Sequence, residues 1–330
     1  MPANKNNSSH LASPNLQEFV LLTGRANPKL AHSIAKILKK DLDEPISVFS
    51  DGEIRVKISL NLRRRHVFII QPTAPPVNDN IMELILMIDA AKRASASEII
   101  GVIPYFGYSR QDRKEKSRVP ISASAIASIF EYAGVNRIFT VDIHSEQQEG
   151  FIKGPWDNVY ASYSLLPEIR ARKTSNLVVA SPDKGGVTRA TGYARLLKAS
   201  GIAIVYKERD VHVNDMSETL TMVGNVRGKD VLLVDDMIST GGTLFNAADF
   251  LVKQGAKSVR AAVTHGLFSG DALEKLTKLP IDEVIVTDTI LHRKAVVNHS
   301  KITIVSVAPL VAEVIRRIQT GASISKDLIL

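Results

Sequence analysis

The run Val231-Leu232-Leu233-Val234-Asp235-Asp236-Met237-Ile238-Ser239-Thr240-Gly241-Gly242-Thr243-Leu244 constrains this chain more than any other stretch. Unbroken aliphatic residues from Val231 to Val234 suit a central parallel strand covered on both faces, whereas a strand with one face in water would alternate with polar residues. Two carboxylates at the end of such a strand fall where open α/β sheets meet their ligands. Gly241 and Gly242 let the backbone turn tightly and approach a ligand. Ser239, Thr240 and Thr243 offer hydroxyls, and the helix predicted to follow begins with unpaired N–H groups. All of this suits a phosphate. Asp235 and Asp236 would repel one, so beside a phosphate cradle they suit ribose hydroxyls, a divalent cation, or both. The segment predicts one ligand with a phosphate end and a hydroxylated end. The plainer alternative is a strand end with a solvated acidic turn and an ordinary helix start.

Elsewhere, short β-branched runs alternate with amphipathic stretches of about a dozen residues, the pattern of parallel α/β units. Strands are predicted at 19–22, 67–71, 99–104 and 137–141, with helices at 28–40, 78–93 and 122–133. A second set follows, with strands at 177–180, 202–206, 230–235, 258–264, 283–287 and 302–305 and helices at 187–199, 243–254 and 309–320. The expected fold class is α/β, as two similar domains that each hold a mostly parallel sheet flanked by helices. A chain of 330 residues is long enough to bury two cores. The turn Pro155-Trp156-Asp157 places the division, giving an N-terminal domain over 17–156 and a C-terminal domain over 157–330. The polar stretch 1–16 is expected to be a disordered tail. The last helix is expected to pack back on the N-terminal domain.

Cysteine is absent, which removes disulfides, thiolate zinc sites and cysteine nucleophiles. No apolar run is long enough to cross a bilayer and 1–16 has no apolar signal core, so a soluble cytoplasmic protein without a membrane partner is expected. Forty-two basic against 34 acidic side chains leave a formal charge of +8, which suits a nucleic-acid binder or an enzyme of polyanionic substrates. The densest basic clusters, Arg63-Arg64-Arg65 and the 110–118 stretch, lack interleaved aromatic stacking platforms apart from Tyr105, Phe106 and Tyr108. No nucleic-acid partner is expected.

Four further places carry chemistry-bearing residues. Arg110, Gln111, Asp112, Arg113, Lys114, Lys116 and Arg118 follow the strand at 99–104, where their charge suits a polyphosphate, although Lys116 and Arg118 read better as solvated surface. Phe49, Asp51 and Glu53 occupy a short turn before the alternating run Arg55-Val56-Lys57-Ile58. His144 ends the run Thr140-Val141-Asp142-Ile143, a place where a lone histidine is usually structural, and Asp183 opens the turn Asp183-Lys184-Gly185-Gly186. Lys207, Arg209 and Asn214 follow the strand at 202–206, in a polar stretch that by composition alone reads as solvated loop.

The 231–244 run resembles the phosphoribosyl pyrophosphate loop shared by type I phosphoribosyltransferases and phosphoribosyl pyrophosphate synthetases. Phe49-Ser50-Asp51-Gly52-Glu53, Pro104-Tyr105-Phe106-Gly107-Tyr108-Ser109-Arg110-Gln111-Asp112-Arg113-Lys114, Val141-Asp142-Ile143-His144 and Ser181-Pro182-Asp183-Lys184-Gly185-Gly186-Val187-Thr188-Arg189-Ala190 are similar to the synthetases alone. The chain is thus identified, collinearly from about Leu21 onward, as a member of the ribose-phosphate diphosphokinase family, with a type I phosphoribosyltransferase-like fold in each half. The resemblance implies transfer of the β,γ-diphosphoryl group of ATP to the anomeric hydroxyl of ribose 5-phosphate, releasing AMP. It implies ATP binding by Arg110 and Gln111, with Arg110 on the phosphates. It also implies an adenine turn at Phe49, Asp51 and Glu53 that reaches into a neighbouring subunit. His144 and Asp183 would help to hold the magnesium, or manganese, that accompanies ATP. Ser239, Thr240, Gly241, Gly242 and Thr243 would take the 5-phosphate, while Asp235 and Asp236 take the ribose hydroxyls. Lys207 and Arg209 would lie on a mobile catalytic loop. Self-association follows from the shared adenine turn, and the resemblance to a family in which many members form hexamers makes a hexamer the favoured size.

The resemblance further implies inorganic phosphate as an activator and ADP as an inhibitor at a site between subunits, with Arg63, Ser323 and Ser325 as candidate contacts. Asn61 stands where a serine is expected, which leaves that regulation open. Lys184 stands where most members carry histidine. Three other readings are kept in view: a non-catalytic relative of the synthetase, a phosphoribosyltransferase, which would need only 235–243, and a basic RNA-binding protein, which only the charge supports.

Overall fold

The computed structural model describes residues 19–209 and 218–324, the side chains of 207–209 and 218–219 excepted. The expected tail at 1–16, together with Asn214 and Ser325, lies outside the described residues. The first half comprises β1 (Phe19–Thr23), α1 (Pro28–Leu38), β2 (Leu42–Asp43), β3 (Ile46–Val48), β4 (Ile54–Val56), β5 (His66–Ile70), α2 (Val77–Arg93), β6 (Glu98–Ile103), α3 (Ser122–Ala133), β7 (Arg137–Val141) and β8 (Trp156–Val159). The second comprises α4 (Ser162–Ala171), β9 (Leu177–Ser181), α5 (Val187–Leu197), β10 (Gly201–Arg209), β11 (Glu218–Val223), β12 (Asp230–Ile238), α6 (Gly242–Lys253), β13 (Ser258–Gly266), α7 (Ala272–Lys278), β14 (Glu283–Thr287), α8 (Lys294–Val297), β15 (Ile302–Val305) and α9 (Ala308–Thr320).

Two sheets result, ordered β2-β1-β5-β6-β7-β8 and β11-β10-β9-β12-β13-β14-β15. Every neighbouring pair in them is parallel except β10 and β11. The aliphatic run of β12 sits between β9 and β13, and its first five residues are buried, as expected of a strand covered on both faces. Because β8 pairs with β7, the first sheet runs through Val159, across the division placed at Trp156.

Among the described residues, three large cores organise the layers. One covers the outer face of the first sheet with α2 and α3, and a second covers the second sheet with α6 and α7. The third lies between the sheets and joins them: Phe68, Ile70 and Val102 of the first sheet share it with Leu232, Val234 and Ala262 of the second, through helices α1, α4, α5 and α9. In it, Leu310, Val311, Val314 and Ile315 of α9 pack with Leu30, Ala31 and Ile34 of α1. Both helices carry a proline in their first turn. Asn27 caps α1 by accepting from the Leu30 N–H and Pro28 opens it, while α9 begins with Pro309 near its start. Polar bonds complete the union, since Asn27 Nδ2 donates to the Asp288 carbonyl at 2.8 Å and His66 Nδ1 pairs with Gln319 Oε1 at 3.0 Å.

The short β3–β4 hairpin stands apart from both sheets. Its tip is closed by Phe49 N–H to the Glu53 carbonyl and Gly52 N–H to the Phe49 carbonyl, with Gly52 at φ +95°. No helix among the described residues is long and apolar enough to cross a membrane.

Candidate active site

The carboxyl ends of β6, β7, β9 and β12 converge on one cleft. β12 runs two residues past the aspartate pair, then Gly241 takes φ +80° as the N-cap of α6. A Cβ there would also lie 2.0 Å from a Phe245 ring carbon, so conformation and space both require glycine. Gly242 faces open space. The β12–α6 turn, with Arg110, His144 and Asp183, lines a cavity of about 250 Å3. A second cavity, of about 470 Å3, shares Arg110, His144, Asp183, Asp235 and Asp236 and continues past Arg113, Lys184, Gly185, Gly186 and Arg189. The β12–α6 turn, the acid pair and a basic wall therefore belong to one continuous cleft.

Its floor is a charged set drawn from both sheets. His144 Nδ1 lies 2.7 Å from Asp236 Oδ2, and Asp235 Oδ1 accepts the Asp236 N–H at 2.9 Å. Arg189, on the first turn of α5, comes within 3.9 Å of Asp142, Asp235 and Asp236. Burial and the charge of Asp236 push the Asp235 carboxyl well above the usual carboxylate range. Burial acts on Asp236 in the same sense, but the His144 hydrogen bond and the Arg189 charge outweigh it and hold Asp236 below that range. The same hydrogen bond, opposed by burial, raises His144 above its ordinary value. Arg189 stays charged against its burial because the three carboxylates surround it.

Asp142 anchors this floor. It takes φ +44°, and its Oδ2 accepts from the Ala161 N–H at 2.9 Å and the Thr264 hydroxyl at 2.6 Å. Buried His265, pushed below its ordinary value by desolvation, fits as a neutral ring that donates from Nε2 to the Asp142 carbonyl at 3.3 Å and accepts at Nδ1 from Thr289 at 2.9 Å. Tyr105 meets the His265 ring edge-on at 5.0 Å between centroids. Sequence reading assigned no role to Asp142, Arg189, Thr264 or His265. Asp142 and Arg189 lie inside stretches that it singled out, but nothing in spacing shows that a helical arginine and a strand-end aspartate turn towards the same buried point.

Of the expected site residues, Arg110, His144, Asp183, Asp235, Asp236 and 239–243 are brought together. Gln111 flanks Arg110 and accepts from Ser122 Oγ at 2.7 Å. Asp183 accepts the Gly186 N–H at 3.0 Å, which shapes the second turn. Lys184 sets its Nζ 4.6 Å from the centroid of Tyr206, on the strand that carries Lys207 and Arg209 at its end. Phe49, half exposed at 50%, and the exposed Asp51 and Glu53 line neither cavity of the cleft. Arg63 is exposed, with its N–H on Asn61 Oδ1 at 3.1 Å, and the Ser323 carbonyl accepts from Arg317 at 2.9 Å.

The donors suit magnesium. That ion prefers oxygen, keeps several waters and is held by one or two carboxylates together with substrate phosphates. Asp183 and the acid pair supply carboxylate oxygens on the shared wall, and His144, engaged through Nδ1, has its other ring nitrogen left for contact directly or through water. Among the described residues no three such side chains form a closed protein cage.

Comparison with known proteins places the chain in a family. Residues 19–134 match the N-terminal domain of ribose phosphate pyrophosphokinase, and 211–328 match the phosphoribosyl synthetase-associated domain. A ribose-phosphate pyrophosphokinase of Wolinella succinogenes is 46% identical over 94% of this chain and 99% of its own length. One from Vibrio parahaemolyticus is 47% identical over the same shares. The crystal structure of phosphoribosylpyrophosphate synthetase from Mycobacterium smegmatis superposes with a TM-score of 0.87 at 37% identity, covering 93% of this chain and all of that one. The chain belongs to the ribose-phosphate pyrophosphokinase family.

Proposed function

We propose that the cleft joins MgATP and ribose 5-phosphate, transferring the β,γ-diphosphoryl group to the anomeric hydroxyl and releasing AMP and 5-phosphoribosyl 1-pyrophosphate for nucleotide biosynthesis in the cytoplasm. The observation that carries this reading is the sharing of one cleft by the phosphate turn, the acid pair and the basic wall of Arg110 and Arg113. The N–H groups and hydroxyls of 239–243 hold the 5-phosphate, and Asp235 and Asp236 orient the ribose hydroxyls. Fixing the far end of the sugar turns binding energy into alignment of the attacking oxygen. The anomeric oxygen attacks the β-phosphorus in line, the bond from that phosphorus to the AMP oxygen breaks, and the hydroxyl proton leaves to solvent or a nearby base. Negative charge spreads over the migrating oxygens, where Arg110, Lys207 and Arg209 stabilise it electrostatically. Asp183 and His144 would hold magnesium, which neutralises polyphosphate charge when bound.

Phe49, Asp51 and Glu53 bind adenine in a neighbouring subunit of a homo-oligomer, a hexamer in this reading. Arg63, Ser323 and Ser325 are the contacts proposed for phosphate and ADP at a site between subunits. Incubation with ATP, ribose 5-phosphate, magnesium and phosphate tests the reaction. AMP formed in step with phosphoribosyl pyrophosphate supports it. ADP in its place means an ordinary kinase, and no nucleotide product under varied phosphate and metal points to the non-catalytic relative.

A further inference from the structure

Arg189 meets three acids from two parts of the molecule. Its Nε faces Asp142 Oδ1 and a terminal nitrogen faces Asp235 Oδ1 and Asp236 Oδ1, each at 3.9 Å, with only 14% of the side chain exposed. Each acid is also pinned by another donor. Asp142 Oδ2 takes the Ala161 N–H and the Thr264 hydroxyl, Asp236 Oδ2 takes His144, and Asp235 Oδ1 takes the Asp236 N–H. Asp142 and Asp236 thus turn their second oxygen to the guanidinium. At 3.9 Å these contacts are electrostatic and not hydrogen bonds, and the buried Nε has no hydrogen-bond partner. Burying a guanidinium with an unmet donor is costly, and the compensation present is the field of the three carboxylates. Without the guanidinium the facing oxygens of those acids would be left to repel one another.

We propose that Arg189 is a positioning residue for the sugar: its charge draws Asp235 and Asp236 towards Asp142, fixing the direction in which the pair meets the ribose hydroxyls. The role rests on the reading of the β12 end as the ribose 5-phosphate site. Arg189 touches no reacting atom in it. The guanidinium reaches the three acids through two nitrogens set apart on one rigid plane, Nε towards Asp142 and a terminal nitrogen towards Asp235 and Asp236, whereas a lysine ammonium is one point charge and spans fewer.

The test uses the full-length enzyme with Arg189→Met, Arg189→Lys and, as a control, Asp235→Ala, measuring kcat, both KM values and the melting temperature. Arg189→Met is expected to raise the KM for ribose 5-phosphate by about tenfold or more and that for ATP by less than about threefold, with Arg189→Lys between it and the parent. Combining Arg189→Met with Asp142→Asn is expected to give less than the product of the separate effects, because both remove one contact. A lowered melting temperature with both KM values unchanged would make Arg189 merely structural and overturn the proposal. So would a rise confined to ATP. Should Arg189→Met fail to fold, the lysine variant decides: a selective rise for the sugar supports the role, and parental values for both substrates overturn it. If Asp235→Ala leaves the sugar KM unchanged, the sugar-site reading itself falls. If Asp235→Ala raises it and Arg189→Met does not, only the positioning role falls.

Discussion

His144 and Asp236 meet at 2.7 Å across the division between the two sheets, one leaving β7 and the other embedded in β12. The pair ties the halves together and fixes a proton-dependent charge beside the acid pair. His144 is raised above 6.5 and Asp236 lowered below 3.8 in the folded protein. The raised histidine favours folding fully below its unfolded value and loses that contribution as pH rises through its folded one. The lowered aspartate favours folding above its unfolded value and loses that contribution as pH falls. The two contributions coincide between 3.8 and 6.5. In metal-free protein, His144→Ala is therefore expected to lower the melting temperature most between pH 3.8 and 6.5, and progressively less as pH rises through the raised histidine value. A titration of the His144 ring by NMR checks the same point, with Asp236→Asn moving its midpoint down; a parental midpoint at or below the free-histidine value would show that the bond does not hold in solution.

Gly241 and Gly242 separate backbone need from ligand need. Gly241→Ala must accept a left-handed φ and a Cβ pressed on Phe245, so it is expected to cost about 1–3 kcal/mol of stability and to weaken sugar-phosphate binding together. Gly242→Ala meets nothing within 4 Å, so it is expected to keep the melting temperature while raising the KM for ribose 5-phosphate. Thermal melts beside substrate titrations compare the two. Equal behaviour of both variants would remove the distinction.

Lys207 and Arg209 close β10, the strand steadied at Tyr206 by Lys184. If their charges act on the migrating diphosphoryl group, their contacts strengthen in the transition state. Lys207→Ala and Arg209→Ala are expected to lower kcat by about a hundredfold while the KM for ATP moves only a fewfold. Losses confined to KM would place both residues in ground-state binding.

Much of this architecture is legible in the residues because its strands are buried on both faces. The aliphatic run of β12 and the β-branched runs of β6 and β9 need a covered parallel sheet, and the predicted helices fall on α1, α2, α3, α5, α6 and α9. Short elements escaped that reading. β2 has two residues and β8 has four, too few for a periodic signal, and α4 carries Pro167 inside it. At the site, the β12–α6 turn and the acid pair are contiguous in sequence and so are visible there. The Asp142–Arg189–Thr264 set comes from separate elements, and its members look ordinary until the fold assembles them.

Phe49 poses the sharpest test of assembly. It stands half exposed on a hairpin tip that lines neither cavity of its own chain's cleft, with Arg55 5.8 Å from its ring centroid. A large aromatic left open beside a cation suits stacking on a flat ligand or packing at an interface. If it serves a neighbour's ATP, Phe49→Ala is expected to raise the KM for ATP about tenfold or more without lowering the melting temperature of the isolated chain. Mixing then discriminates. A Phe49→Ala chain keeps its own sugar site and lacks only the donated ring, whereas an Asp235→Ala chain lacks the sugar site and still donates a ring. Co-assembled by refolding together, the two are expected to recover a fraction of parental activity at low ATP that neither shows alone, because some sites combine an intact Asp235 with a partner's intact Phe49. Activity no greater than the sum of the separate variants, in a preparation that sedimentation shows to be mixed oligomers, would place Phe49 outside any shared site.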